Sequence, residues 1–201
     1  MIKALVFDLG KVIVPFDLSR GYAALSRHCP LPAEEIPKRI ASTDLVSRFE
    51  TGRIAPERFV EELSGLLNLD IGYARFLELW GSIFLPEPLI PEALIEALSK
   101  RYRMLVLSNT NVLHFEIIRK KYPLLRHFES FVLSHEVGAL KPDPRIYQEA
   151  IRRAGCAPAE IFYTDDIAGY VEGARRAGLD AVQFHSAAQL ERELRARGVS
   201  W

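Results

Sequence analysis

Asp8 stands where a strand-like run, Lys3-Ala4-Leu5-Val6-Phe7, gives way to a turn that Gly10 leaves free to bend sharply. A charge handed by a buried strand to the loop after it is a site candidate, because ligands of open α/β sheets collect at the carboxyl ends of strands. Three later stretches are built alike. Arg103-Met104-Leu105-Val106-Leu107 ends on Ser108-Asn109-Thr110, Gly138-Ala139-Leu140-Lys141-Pro142 isolates one lysine in a loop, and Ile161-Phe162-Tyr163-Thr164 runs into Asp165-Asp166. Carboxylates attack as nucleophiles or ligate hard cations, hydroxyl and amide groups donate to anionic oxygens, and a lysine supplies a fixed positive charge. Singly, each group also has a structural explanation: Asp8 as a turn residue, Ser108 to Asn111 as a helix cap, Lys141 as a surface residue, Asp165-Asp166 as an N-cap. In this order, each closing an apolar run or its loop, they read as one site.

The elements that must hold these groups follow from hydrophobic period. After Val14 the pattern turns helical, with Leu18, Tyr22 and Leu25, then Phe59, Leu63, Leu66 and Leu67, then Phe76, Leu77 and Trp80. Breaks at Cys29-Pro30-Leu31-Pro32, Thr51-Gly52-Arg53 and Asn68-Leu69-Asp70 divide this block into several short helices, and nothing in it reads as a strand. Phe84-Leu85-Pro86-Glu87-Pro88 is a stiff connection out of it. From Pro91 onward, strands at 103 to 107, 131 to 133, 161 to 164 and 181 to 184 alternate with helical segments. The fold class is therefore α/β, a doubly wound and mostly parallel sheet covered on both faces.

An apolar share of 49% over 201 residues is enough for one core domain with a modest insertion. Lys plus Arg and Asp plus Glu balance at 26 each, so no global field draws nucleic acid or an anionic membrane, and any phosphate preference must be local. No apolar run approaches the ~20 residues of a membrane span, and no signal-peptide pattern follows Met1, which gives a cytoplasmic reading. Cys29 and Cys156 lack a CxxC or a nearby His cluster and read as ordinary thiols.

Taken together, the four stretches resemble the motifs of the haloacid dehalogenase (HAD) superfamily, most of whose members are magnesium-dependent phosphatases. The first motif, Phe7-Asp8-Leu9-Gly10, is similar to the subgroup that includes α-D-glucose-1-phosphate phosphatases. Supporting wording extends to Leu107-Ser108-Asn109-Thr110-Asn111 with Leu113-His114, Lys141-Pro142 with Arg145-Ile146-Tyr147, and Val171-Glu172-Gly173-Ala174. The resemblance implies a Rossmann-like core over 1–15 and 87–201 and a small helical cap over 16–86. It implies a phosphatase acting on a small phosphate monoester, with a sugar phosphate expected, through an aspartyl-phosphate on Asp8. Mg²⁺ is the expected cofactor, held by Asp8, the Gly10 carbonyl and Asp166, with Asp165 as a further ligand or orienting group. Ser108, Asn109 and Lys141 are expected to bind the phosphoryl group, and Lys141 also to pair with Asp8. The expected partner is a small phosphorylated metabolite, and the chain a monomer or homodimer.

Two positions depart from the pattern. Most superfamily phosphatases carry a second aspartate two residues after the nucleophile as general acid and base, and here that position is Gly10. Without it, a good leaving group such as an anomeric sugar oxygen is favoured. Asp17 is the nearest substitute acid or sugar contact, against the reading that it caps the helix from Leu18. The turn Phe49, Glu50, Gly52, Arg53 is the expected place for the cap to face the core, with Glu50 and Arg53 as substrate contacts or acids. Tyr170 is the second departure, standing where relatives carry an amide or acid. Two other functions share these motifs: a haloacid dehalogenase, which needs no metal and does not keep the paired late acids, and a catalytically weak HAD-like binding module.

Overall fold

A computed structural model describes residues 1–201. β1 (Ala4–Phe7) leads into five short helices: α1 (Leu18–Leu25), α2 (Ile36–Ala41), α3 (Leu45–Glu50), α4 (Pro56–Leu67) and α5 (Tyr73–Trp80). Helices and strands then alternate through α6 (Glu92–Ser99), β2 (Arg103–Ser108), α7 (Val112–Lys121), β3 (Ser130–Leu133), α8 (Ser134–Val137), α9 (Pro144–Ala154), β4 (Ile161–Asp165), α10 (Ala168–Arg176), β5 (Asp180–Gln183) and α11 (Ala187–Ala196). The strands form one sheet in the order β3-β2-β1-β4-β5, with every pairing parallel. The doubly wound α/β fold is the one expected. No helix is long and apolar enough to cross a membrane.

Strand alternation splits the buried side chains between two cores. Leu5, Phe7, Met104, Val106 and Phe162 meet α6 and α11 on one face. Ala4, Val6, Leu105, Leu107, Ile161 and Tyr163 meet α9 and α10 on the other. Burial on both faces is why these strands read as continuous apolar runs. The chain builds outward from β1 through β2 to β3, then crosses back to β4 and β5, so the order reverses beside β1. Phe7 pairs with Val106 and with Thr164, and the Asp8 N–H donates to the Thr164 carbonyl at 2.9 Å. Asp8 therefore emerges level with Asp165 at the crevice where such folds bind ligands.

The five helices after β1 enclose a separate apolar cluster. Phe49 stacks on Phe59 with centroids 4.1 Å apart, Phe76 stacks on Trp80 at 5.6 Å, and Leu25, Leu63 and Leu67 complete it. Trp80 also stacks on His114 of α7 at 5.0 Å, tying the block to the sheet domain. Two passages join block and sheet, and they lie side by side. The Asp17 N–H donates to the Ile83 carbonyl at 2.9 Å, the Leu85 N–H donates to the Pro15 carbonyl at 3.0 Å, and Phe16 and Phe84 form an antiparallel bridge.

Two local features were not expected. Residues 42–44 break the chain between α2 and α3, where the Ser42 and Thr43 hydroxyls donate to the carbonyls of Arg39 and Ile40 at 2.7 and 2.9 Å and compete with helix continuation. A single helical turn, α8, follows β3 and stops at Gly138, whose φ of +73° suits glycine.

Candidate active site

The sheet delivers its polar groups to one point. Lys141, only 3% exposed, places Nζ 2.6 Å from Asp8 Oδ1 and 2.6 Å from Asp165 Oδ2, and donates to the Leu107 carbonyl at 3.2 Å. The Tyr163 hydroxyl also donates to Asp165 Oδ2, while Asp165 Oδ1 accepts from the Ile167 N–H at 2.9 Å. Both Asp165 oxygens are thus engaged. Asp8 keeps Oδ2 without a side-chain partner, and no side chain binds the Asp166 carboxylate.

Electrostatics follow from burial. Burial alone would lower the Lys141 pKa, but the attraction of Asp8 and Asp165 outweighs it, so the ammonium is held charged. Burial pushes the Asp8 carboxyl up, to about 7, with Lys141 opposing and Asp165 adding to the rise. These directions bear oppositely on the ion pair. The contacts decide for a charged lysine, since one cation shared between two buried carboxylates is the arrangement in which its proton is hardest to remove. Asp166 is raised by burial first and by Asp165 second.

Ligand oxygens of Asp8, Asp165 and Asp166 can all lie within 4.8 Å of one another. Two residues after Asp8, the Gly10 carbonyl accepts none of the backbone hydrogen bonds that fold its loop. An all-oxygen set of free carboxylates and a free carbonyl fits a hard divalent cation. With both Asp165 oxygens engaged and the Asp166 carboxylate unengaged, Asp166 is the more available of the two for a cation, and Asp165 orients Lys141.

Against this geometry, a family model described as haloacid dehalogenase-like hydrolase matches residues 2–178. The chain belongs to that family. A D-ribitol-5-phosphate phosphatase of Bacteroides thetaiotaomicron is 26% identical over 96% of this chain and 97% of its own length. A phosphatase of Mycobacterium tuberculosis is 32% identical over 90% of this chain and 86% of its own. Among solved structures, a HAD family enzyme of Bacteroides thetaiotaomicron in complex with magnesium and inorganic phosphate superposes with a TM-score of 0.83 at 24% identity, covering 92% of this chain and 96% of that one. As a HAD-like hydrolase, the chain is an enzyme by family.

Within this HAD-like frame, Asp8, Lys141, Asp165 and Asp166 come together, and Gly10 lines a cavity with Ser108. Ser108 is buried beside them, its hydroxyl meeting only the Asn109 carbonyl at 3.4 Å, so it can turn to a ligand. The side-chain amide of Asn109, expected to bind phosphate, is engaged with the lysine loop. Its Oδ1 accepts from the Lys141 N–H at 2.7 Å and its Nδ2 donates to the Lys141 carbonyl at 3.2 Å and the Tyr170 hydroxyl at 3.4 Å, so its amide fastens the lysine loop. Asp17 caps α1, as the alternative reading had it: its carboxylate accepts from the Ser19 N–H at 2.9 Å and from the Ser19 hydroxyl at 2.6 Å. Arg53 is exposed and does not line the cavity beside Gly10 and Ser108. Glu50 does face the core. It lines a cavity of about 200 Å³ with Gly10, Phe16, Ser108, Asn109 and His114.

Sequence reading passed over Tyr163 and Phe16. Tyr163 lies two residues before Asp165 on the same strand and so projects from the same face, a signal available in the spacing. Tyr170, the second departure from the family pattern, braces the lysine loop: its hydroxyl accepts from Asn109 Nδ2 at 3.4 Å and its ring centre lies 5.0 Å from Lys141 Nζ. Gly173 has a reason here too, because a Cβ on it would come 2.7 Å from the Tyr147 hydroxyl and 3.0 Å from Pro142 Cβ.

Proposed function

We propose that this chain is a Mg²⁺-dependent phosphatase of small phosphate monoesters, with a sugar or polyol phosphate as substrate, working through an aspartyl-phosphate on Asp8. In this reading residues 16–86 act as a cap over a core formed by 1–15 and 87–201. The observation that carries it is the buried Asp8–Lys141–Asp165 cluster with Asp166 unengaged at its edge. A phosphate monoester resists attack because its oxygens repel an anionic nucleophile. Lys141 offsets that repulsion from one side, and the Ser108 hydroxyl is free to donate to a phosphoryl oxygen. Asp165, Tyr163 and Asn109 keep Lys141 from swinging away. When bound at Asp8, Gly10 and Asp166, the cation supplies further neutralisation between nucleophile and phosphate.

Two observations support the substrate class. The cavity of about 200 Å³ lies below the ~300–1,000 Å³ of drug-sized ligand sites, so a compact ester is favoured over a nucleotide. The relative from Bacteroides thetaiotaomicron named above is a phosphatase of a polyol phosphate. Paired late carboxylates favour phosphate over a haloacid, because departure of a halide leaves no polyanion that needs a cation.

The test is a panel of D-ribitol 5-phosphate, sugar 1- and 6-phosphates, nucleotides and 4-nitrophenyl phosphate, with Asp8→Asn as blank. Hydrolysis of a sugar or polyol phosphate that EDTA abolishes and Mg²⁺ restores is the expected result. Release of halide from 2-haloacids without metal would replace this reading with the dehalogenase. Inertness on every compound would leave a binding module.

A further inference from the structure

An alkoxide is a poor leaving group, and a phosphatase acting on a sugar or polyol ester needs a proton donor beside the departing oxygen. No group described so far is free to be one. Lys141 is locked between two carboxylates, Asp165 is held by Lys141, the Tyr163 hydroxyl and the Ile167 N–H, and Asp8 and Asp166 belong to the nucleophile and cation positions. Nor is there room at Gly10: a Cβ there would come 2.8 Å from Cε1 of Phe16, whose ring fills that space. The cavity over Gly10 and Ser108 holds two titratable side chains, Glu50 and His114. His114 is stacked on Trp80, its Nε2 is buried without a partner, and burial lowers its pKa to about 4, so it carries no proton to give near neutrality.

Glu50 remains. It ends α3, at the turn where the helical block meets the sheet domain. That turn is pressed onto the core at Gly52, where a Cβ would come 2.2 Å from the His135 carbonyl oxygen. The Glu50 carboxyl has no hydrogen-bond or ion-pair partner and borders both this cavity and a second one of about 160 Å³. We propose that Glu50 is the general acid and base of the reaction, supplied from the helical block. This rests on the phosphatase reading above. As Asp8 bonds to phosphorus, the ester P–O bond breaks, its electron pair goes to the ester oxygen, and that oxygen takes the Glu50 proton. Water then attacks the aspartyl-phosphate and gives a proton to the Glu50 carboxylate. The bond from phosphorus to Asp8 breaks, inorganic phosphate leaves, and both carboxyls are restored. Burial lifts the Glu50 pKa to about 7, which suits a group that must both give and take a proton. The other titratable groups lining its two cavities are His114, neutral here, and Tyr22, whose phenol burial raises. Such an acid also removes the need for an anomeric leaving group.

The test compares wild type and Glu50→Gln on the alkyl phosphate that wild type hydrolyses fastest and on 4-nitrophenyl phosphate, whose leaving group needs no proton. Turnover of the alkyl ester should fall by about 10²- to 10⁴-fold. With 4-nitrophenyl phosphate the variant should keep its first-turnover burst of nitrophenolate and then stall as phosphorylated enzyme, and the wild-type decline of kcat/KM above pH ~7 should be lost. Alkyl turnover within about threefold of wild type would overturn the inference, as would a burst slowed as much as alkyl turnover, which marks a binding role. Those outcomes leave the phosphatase reading standing, whereas a wild type inert on every ester overturns both.

Discussion

Replacing Glu50 by glutamine should stabilise the metal-free protein at alkaline pH while damaging its chemistry. Burial lifts this carboxyl from its ordinary 4.5 to about 7, with no partner to offset the cost of ionising it. Between those values the unfolded chain has released a proton that the folded chain retains. The unfolded state then binds fewer protons, so stability falls as pH rises, fully present below pH ~4.5 and lost through pH ~7. At about 1.4 kcal/mol per pH unit, the interval corresponds to about 3 kcal/mol. Glutamine does not titrate. The difference between variant and wild type should be near zero at pH 4.5 and reach about 3 kcal/mol in the variant's favour at pH 8, on the order of 6–12 °C in Tm for a chain of this size. Urea denaturation in EDTA at a series of pH values measures it, and the groups common to both proteins cancel in the difference. Parallel stability curves, or a variant weaker at pH 8, would refute the claim that Glu50 is held unpaired in an apolar cleft.

Three further substitutions probe the supports of the site. Lys141→Met leaves Asp8 and Asp165 buried without their shared cation, and urea denaturation at pH 7 should show a loss of about 3–5 kcal/mol. Gly52→Ala places a Cβ 2.2 Å from the His135 carbonyl at a φ of +67°, so it should cost about 1–3 kcal/mol and lower kcat/KM by displacing Glu50. Unchanged kinetics would mean that the turn does not set Glu50's position. Gly173→Ala drives a methyl group against Tyr147 and Pro142, and thermal melting should show a loss of about 1–3 kcal/mol from overpacking.

The strands, and the polar groups at their ends, were legible because burial on both faces erases alternation and leaves apolar runs whose first polar residue marks the sheet edge. Asp8, Ser108 and Asp165 were visible in that way. Lys141 was placed by the motif around it, since a lone loop lysine carries no period. What the sequence could not convey is which donors are already spent. Asn109 and Asp165 have the right chemistry for a ligand, and only the folded distances to Lys141 and Ile167 show them occupied. Asp17 and Glu50 looked equivalent as spare carboxylates. One meets Ser19 two residues away, a local interaction, while the other faces a cleft made by distant parts of the chain. Phe16 was missed because its role depends on the space that the absent Gly10 side chain leaves for its ring.

The paired passages at Pro15–Asp17 and Ile83–Leu85 constrain how the two halves can part. Two chain crossings fastened to each other by hydrogen bonds form a single strip, so a movement of one half relative to the other must bend both crossings together. Phe16 rides on that strip with its ring against Gly10. A bend of that strip therefore also moves the wall beside Gly10, and opening and enclosure become one mechanical coordinate.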